Sequence, residues 1–330
     1  MHIPDNYLSP ATCAVLGAAM VPVWSVSMRR VQAGLTRSGA PMLGIGAAFA
    51  FLVMMLNVPV PGGSSAHAVG ATLIAALLGP WAACIAVSVA LLIQALLFGD
   101  GGVLALGANC FNMAFVMPFA GYFVYRFLGE RFRGERAGLV SLGLGAYLAI
   151  NLAAFCAALE FGIQPAIARD AAGMPLYCPY PLALAIPGMM LPHLLVAGFV
   201  EAGFTVGVFA FIRRVSPGSI HQGGRTRIPA LYGILAALVG LAPLGLLASG
   251  RAWGEWAPRE IRTALGAGRS LAAVPSGMAH GFNPQALWAD YAVTGLPGWL
   301  GYLWSALAGA ALLLIGFKLL GLLRRPGAKA

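Results

Sequence analysis

The chain opens Met1-His2-Ile3-Pro4-Asp5. A free amine followed by histidine at position 2 is a ready metal chelate. The α-amino nitrogen, the His2 amide nitrogen once deprotonated and a His2 ring nitrogen can fill three corners of a square, and tetragonal nitrogen ligation suits Cu²⁺ or Ni²⁺. A second polar run, Asn57-Val58-Pro59-Val60-Pro61-Gly62-Gly63-Ser64-Ser65-Ala66-His67, sets irregular backbone and one histidine between apolar stretches. His67 alone reads equally well as a ligand or as a packed interfacial side chain. A third run extends from Phe98-Gly99-Asp100-Gly101-Gly102 to Gly107-Ala108-Asn109-Cys110-Phe111-Asn112. Its glycines permit a tight re-entry, and Asp100 and Asn109 either brace a site or cap helices. Gln94, Asn151, His193 and Glu201 lie inside apolar stretches, where an ionisable group is a functional hypothesis by default. A single Glu there also fits an interhelical hydrogen bond. Cys13, Cys84, Cys110, Cys156 and Cys178 form no C-x-x-C pair and read as small buried hydrophobes.

The elements that must position these residues are membrane spans. Hydrophobic residues make up 60% of the chain, charged residues 9%, against about 25% in a soluble domain. Mean hydropathy is +0.84. Runs of the length needed to cross a bilayer occupy 11–28, 41–60, 81–98, 111–128, 137–158, 184–212, 229–249 and 297–317. The shorter run 67–79 decides the topology. If it crosses, Arg29/Arg30/Arg37, Arg126/Arg131/Arg133/Arg136, Arg213/Arg214/Arg225/Arg227 and Lys318/Arg324/Arg325/Lys329 all fall on one side. The positive-inside rule makes that side cytoplasmic. The expected N-terminus is then outside and the C-terminus cytoplasmic, in the plasma (inner) membrane. Loop 250–296, with Arg251, Arg259, Arg262 and Arg269, is outside, an exception that long loops tolerate. The net charge of +10 sits in short clusters rather than on one basic face, which argues against nucleic acid as a partner. The start lacks the positive region of a signal peptide, so the first residues are expected to persist in the mature protein. The pairs Gly46/Ala50 and Ala14/Ala18 have the spacing for close helix contact, inside the bundle or with a partner. No G-x-x-x-x-G-K-[S/T] loop is present, so the chain is not expected to be an ATPase enzyme.

Taken together and in order, these motifs, with Leu78-Gly79-Pro80-Trp81-Ala82-Ala83 and Gln94-Ala95-Leu96-Leu97-Phe98, resemble the nickel/cobalt substrate-capture (S) component of energy-coupling factor transporters, the CbiM/NikM family. The resemblance covers 1–214. It implies an all-α, polytopic membrane helix bundle: a seven-helix substrate-capture core, followed here by two C-terminal transmembrane helices. It implies that the metal is held by the amine of Met1, the amide and imidazole of His2, and His67. Ser65, Asp100 and Asn109 are expected around those ligands. The transported ion is Co²⁺ or Ni²⁺, with no other cofactor. The implied partners are a transmembrane coupling protein and cytoplasmic ATPase subunits. Residues 215–228 are the expected cytoplasmic linker, and 229–330 resemble a fused two-span accessory subunit with a long outer loop. Ala252-Trp253-Gly254-Glu255-Trp256 is similar to extended family members but is not assigned a ligand role. Two other readings compete. A self-sufficient secondary transporter needs a mid-membrane carboxylate, for which Glu201 is the candidate. An intramembrane hydrolase needs Ser64 or Ser65 within reach of a histidine base.

Overall fold

The computed structural model describes residues 1–34, 39–60, 64–132, 134–216, 228–248, 250–257, 260–261 and 274–323. Most of each apolar run of the sequence has become helix. Helix α1 spans Pro10–Gly34 and α2 spans Gly39–Met54. Helix α3 is Ala71–Leu78, and α4 follows it as Pro80–Phe98. Helix α5 runs over 106–131, α6 over Glu135–Ile167 and α7 over Leu182–Val215. Helices α8, Ile228–Leu247, and α9, Gly298–Leu323, complete the bundle. Lipid offers backbone groups no partners, so a chain this apolar must satisfy them internally, as helices do. The protein is a multi-pass, mostly helical membrane protein. Among the described residues, 6 helices are long and apolar enough to cross a bilayer. Val140, Leu144, Leu148, Leu152 and Leu159 form an exposed stripe down α6 that suits contact with lipid tails.

Two boundaries depart from expectation. The second run leaves the helix at Met54, not at 60. Beyond it, Val58–Val60 pairs antiparallel with Ser64–Ala66, Val58 opposite Ala66. Proline cannot continue a helix ladder, and Pro59 here sits in a ribbon instead. The third run, 67–79, is helical only over Ala71–Leu78. Its 8 residues rise about 12 Å, well short of the ~30 Å hydrocarbon core. The preceding chain is irregular and is satisfied by protein. Glu201 of α7 accepts from the N–H groups of Val69 at 2.7 Å and Gly70 at 3.1 Å.

Helices α6, α5 and α7 pack side by side, and α9 lies along α2. Gly46 and Ala50 face inward, because a Cβ on Gly46 would stand 3.3 Å from Ile74 and Ala50 is fully buried. That pair therefore packs the bundle rather than awaiting a partner. Helix α9 is locked to the bundle at the N-terminal end, where the Tyr302 hydroxyl donates to the Met55 carbonyl at 2.8 Å. The linker 215–228 lies outside the described residues over 217–227, as do Arg37, Arg133, His221, Arg225, Arg227, Arg259, Arg262, Arg269, Arg324, Arg325 and Lys329.

Candidate metal centre

Residues 1–9 form a strap that enters the end of the bundle beside the described parts of 55–60, 64–70, 99–105, 168–181, 250–257 and 274–297. Met1, Ile3, Tyr7 and Leu8 are all buried. Two loops and the first turn of α5 hold the strap by its backbone. Gly102 N–H donates to Ile3 O at 2.8 Å, and Cys178 N–H donates to Tyr7 O at 3.0 Å. Asn109 does both jobs of an amide, accepting from Ile3 N–H at 2.8 Å and donating to Ile3 O at 3.0 Å. Asp5 accepts from Val103 and Leu104 N–H at 2.9 and 2.8 Å. A Cβ on Gly102 would lie 2.5 Å from Asp5 N, so only glycine allows the strap this close.

Held this way, the strap lays His2 beside His67. Their ring centroids are 4.9 Å apart, and both side chains are buried. His67 Nδ1 is 3.1 Å from the Ala68 carbonyl, while its Nε2 has no hydrogen-bond partner. His2 Nδ1 approaches Asp100 Oδ1 at 3.2 Å. That contact lacks hydrogen-bond alignment, and neither His2 ring nitrogen has a partner. The Met1 amine lies 2.6 Å from Glu255 Oε1. His2, His67 and Glu255 each present a ligand atom, and these atoms lie within 4.8 Å of one another.

Burial sets the protonation states. It pulls both His2 and His67 down to about 4, and the nearby Met1 amine adds to the fall. At neutral pH both rings are uncharged and keep a lone pair, the form that binds metal. Burial alone would raise Glu255, but the Met1 amine, His2 and His67 outweigh it and hold the carboxyl at about 2. Asp100 goes the other way, to about 6, through burial and then repulsion from Glu255. Its Oδ2 accepts from the Tyr291 hydroxyl at 2.5 Å, and that hydroxyl accepts from Gln94 Nε2 at 3.0 Å. A cavity of about 870 Å³ opens onto the cluster, with Asn57, Arg251, Asp290 and Tyr302 among its lining residues.

Met1, His2, His67, Asp100 and Asn109, singled out from sequence, thus meet at one place. Ser65 is buried in the ribbon and lines the cavity, but makes no hydrogen bond to Met1, His2 or His67. His193 donates to or accepts nothing from the strap, as its Nδ1 lies 2.7 Å from Met189 O. Sequence reading named the segment holding Glu255 without giving it a role at the site, and did not single out Tyr291. The signal for Glu255 was present as a carboxylate between Trp253 and Trp256 in a span-linking loop. Regular α-helix gives way to wider π turns at Gln94–Phe98, Cys110–Val116 and His193–Ala197. The first abuts the loop carrying Asp100 and the second directly follows Asn109, in keeping with the placement of such turns at functional sites.

A family model described as cobalt uptake substrate-specific transmembrane region, CbiM, matches residues 2–219. The chain belongs to the CbiM family. A PDGLE domain matches residues 227–326, so this CbiM member carries a second recognised region. It is 52% identical over 318 residues to the probable fused nickel transport protein LarMN of Lactiplantibacillus plantarum, covering 96% of each chain. It is 47% identical to the fused nickel transport protein NikMN of Rhodobacter capsulatus, covering 97% of this chain and 96% of the relative. A crystal structure of a truncated transition metal transporter superposes with a TM-score of 0.61 at 54% identity, over 65% of this chain and 99% of that one. The relatives of this CbiM protein are nickel and cobalt transport proteins.

Proposed function

We propose that the protein is the substrate-capture component of an ATP-driven energy-coupling factor importer for Co²⁺ or Ni²⁺. It takes the ion at the outer face through the Met1 amine, the His2 amide and imidazole, and His67. The observation that carries this reading is the convergence of an N-terminal amine and two uncharged imidazoles whose inward nitrogens are buried without partners. Such groups cost about 1–3 kcal/mol each when unsatisfied, a cost that ligation removes. The relatives that span both regions are named for nickel, which makes Ni²⁺ the first ion to test. Charge supports capture at the outer face. Arg29, Arg30, Arg126, Arg131, Arg213 and Arg214 sit at helix ends remote from the strap, and basic ends face the cytoplasm. We further propose that 1–214 is the capture unit, 215–228 the cytoplasmic linker and 229–330 a fused accessory unit. A transmembrane coupling protein and cytoplasmic ATPases would supply the energy that the chain has no phosphate loop to harvest. Glu201, the residue a secondary transporter would need, is engaged with Val69 and Gly70.

The test is Ni²⁺ and Co²⁺ titration of the purified full chain. His2→Ala, His67→Ala and an extension ahead of Met1 should each abolish tight binding while the helical signal is kept. An extended chain that binds as the unextended one does would remove the amine from the ligand set.

A further inference from the structure

Glu255 comes from the loop between α8 and α9, 254 positions from the amine it meets. Its placement is built in, not incidental. Gly254 adopts φ +82°, a left-handed conformation that turns the chain sharply just before it. Trp253 is clamped against the Phe161, Tyr180 and Trp256 rings. The Tyr7 hydroxyl of the strap donates to Trp256 O at 2.8 Å. Strap and loop are thus tied at Tyr7–Trp256 as well as at the Met1–Glu255 contact. The same loop also supplies Tyr291, which grips Asp100 beside His2. The second unit therefore meets Met1 directly and reaches the neighbourhood of His2 through Asp100.

We propose that Glu255 is a positioning residue of the metal site: it fixes the Met1 amine where the ion is taken, and remains hydrogen-bonded to that amine, outside the coordination sphere, after binding. This rests on the ligand set given under Proposed function. An amine that has lost one proton to bind a metal still carries N–H bonds, so it can keep donating to Glu255. Charge favours the same arrangement. A divalent ion brings two positive charges, and the amine and the His2 amide each release one proton to it. The net charge facing Glu255 is then unchanged by capture, and a buried positive cluster keeps its counter-charge. The α8–α9 unit is, on this view, part of the binding site rather than an appendage.

The experiment is Ni²⁺ titration of the purified full chain, read as affinity and as the visible absorption of the bound ion. Glu255→Gln should weaken affinity by about 10–100-fold, the usual cost of losing a partner outside the ligand shell. Its absorption band should match wild type, because the ligands are the same. Glu255→Asp, which keeps the charge on a shorter arm, should bind more tightly than Glu255→Gln. Full affinity in Glu255→Gln, a displaced absorption band in that variant, or no recovery with Glu255→Asp would each overturn the proposal. His67→Ala is run alongside. Wild-type affinity in that variant would sink the ligand set itself, a failure distinct from any result at Glu255.

Discussion

Replacing Asn109 with Ala tests whether the strap is what assembles the site. The side chain makes two bonds to Ile3, at 2.8 Å and 3.0 Å, both buried. Each such bond contributes about 1 kcal/mol net, so docking of the strap should weaken by about 2 kcal/mol. Ile3 O keeps a partner in Gly102 N–H at 2.8 Å, whereas Ile3 N–H is left with none, which makes the figure a lower bound. Only the docked strap presents the Met1 amine and His2 to His67. The apparent affinity is reduced by the fraction docked, which sets the ceiling for a 2 kcal/mol loss at about thirty-fold. Ni²⁺ titration and backbone hydrogen exchange over residues 1–8, done on the same preparation, measure the two effects. Exchange should accelerate and affinity should fall together. Wild-type affinity with faster exchange would refute the claim that strap docking limits capture.

Acid should loosen the strap. His2 and His67 titrate near 4 in the fold against 6.5 when free, so from about pH 6.5 down to 4 the undocked chain binds more protons and docking weakens as pH falls. Asp100, raised from 3.8 to about 6, opposes this over pH 6 to 3.8, but it is one group against two. Hydrogen exchange of residues 1–8 in the metal-free protein should therefore be faster at pH 5 than at pH 7.5 after correction for intrinsic rates, and equal protection would refute it. Gly254→Ala forces a side chain into φ +82° with its Cβ 3.0 Å from the Phe161 ring. Strain of about 1–3 kcal/mol should speed exchange over 250–257 and weaken Ni²⁺ binding, and a crystal structure with Glu255 still on Met1 would contradict this. Glu201→Ala strands the Val69 and Gly70 N–H groups, at about 1–3 kcal/mol each. Tm and Ni²⁺ affinity should both drop, and an unchanged Tm would show that the chain before α3 does not depend on Glu201.

Much of the fold was legible because apolar content and span length leave a membrane chain few choices. The runs at 81–98 and 229–249 reappear as helices with nearly the same ends, and 137–158 reappears inside a longer helix, Glu135–Ile167. The error at 67–79 was one of form. Thirteen apolar residues look like a short helix, but Gly70 at φ +73° and the grip of Glu201 hold the first part out of helix. Gly46 and Ala50 show a similar limit, since small-residue spacing is the same whether the helix meets its own bundle or another chain.

By itself the sequence supplied the chelating groups that the proposed site uses. An amine, an amide and an imidazole within two residues form a chelate by covalent connection, and no fold is needed to bring them together. It also determined the helical bundle, because backbone polar groups in lipid must pair within the segment. Only the tertiary structure decided which distant residues stand beside those groups. His67 lies 65 positions from His2 and Glu255 lies 254 from Met1, and nothing in local spacing encodes either approach. Asn109 and Gly102 dock the strap, Gly254 turns the loop, and the Trp253 packing fixes it. Those are long-range contacts, set by how whole helices and loops fit, and a pattern read along the chain carries no record of them.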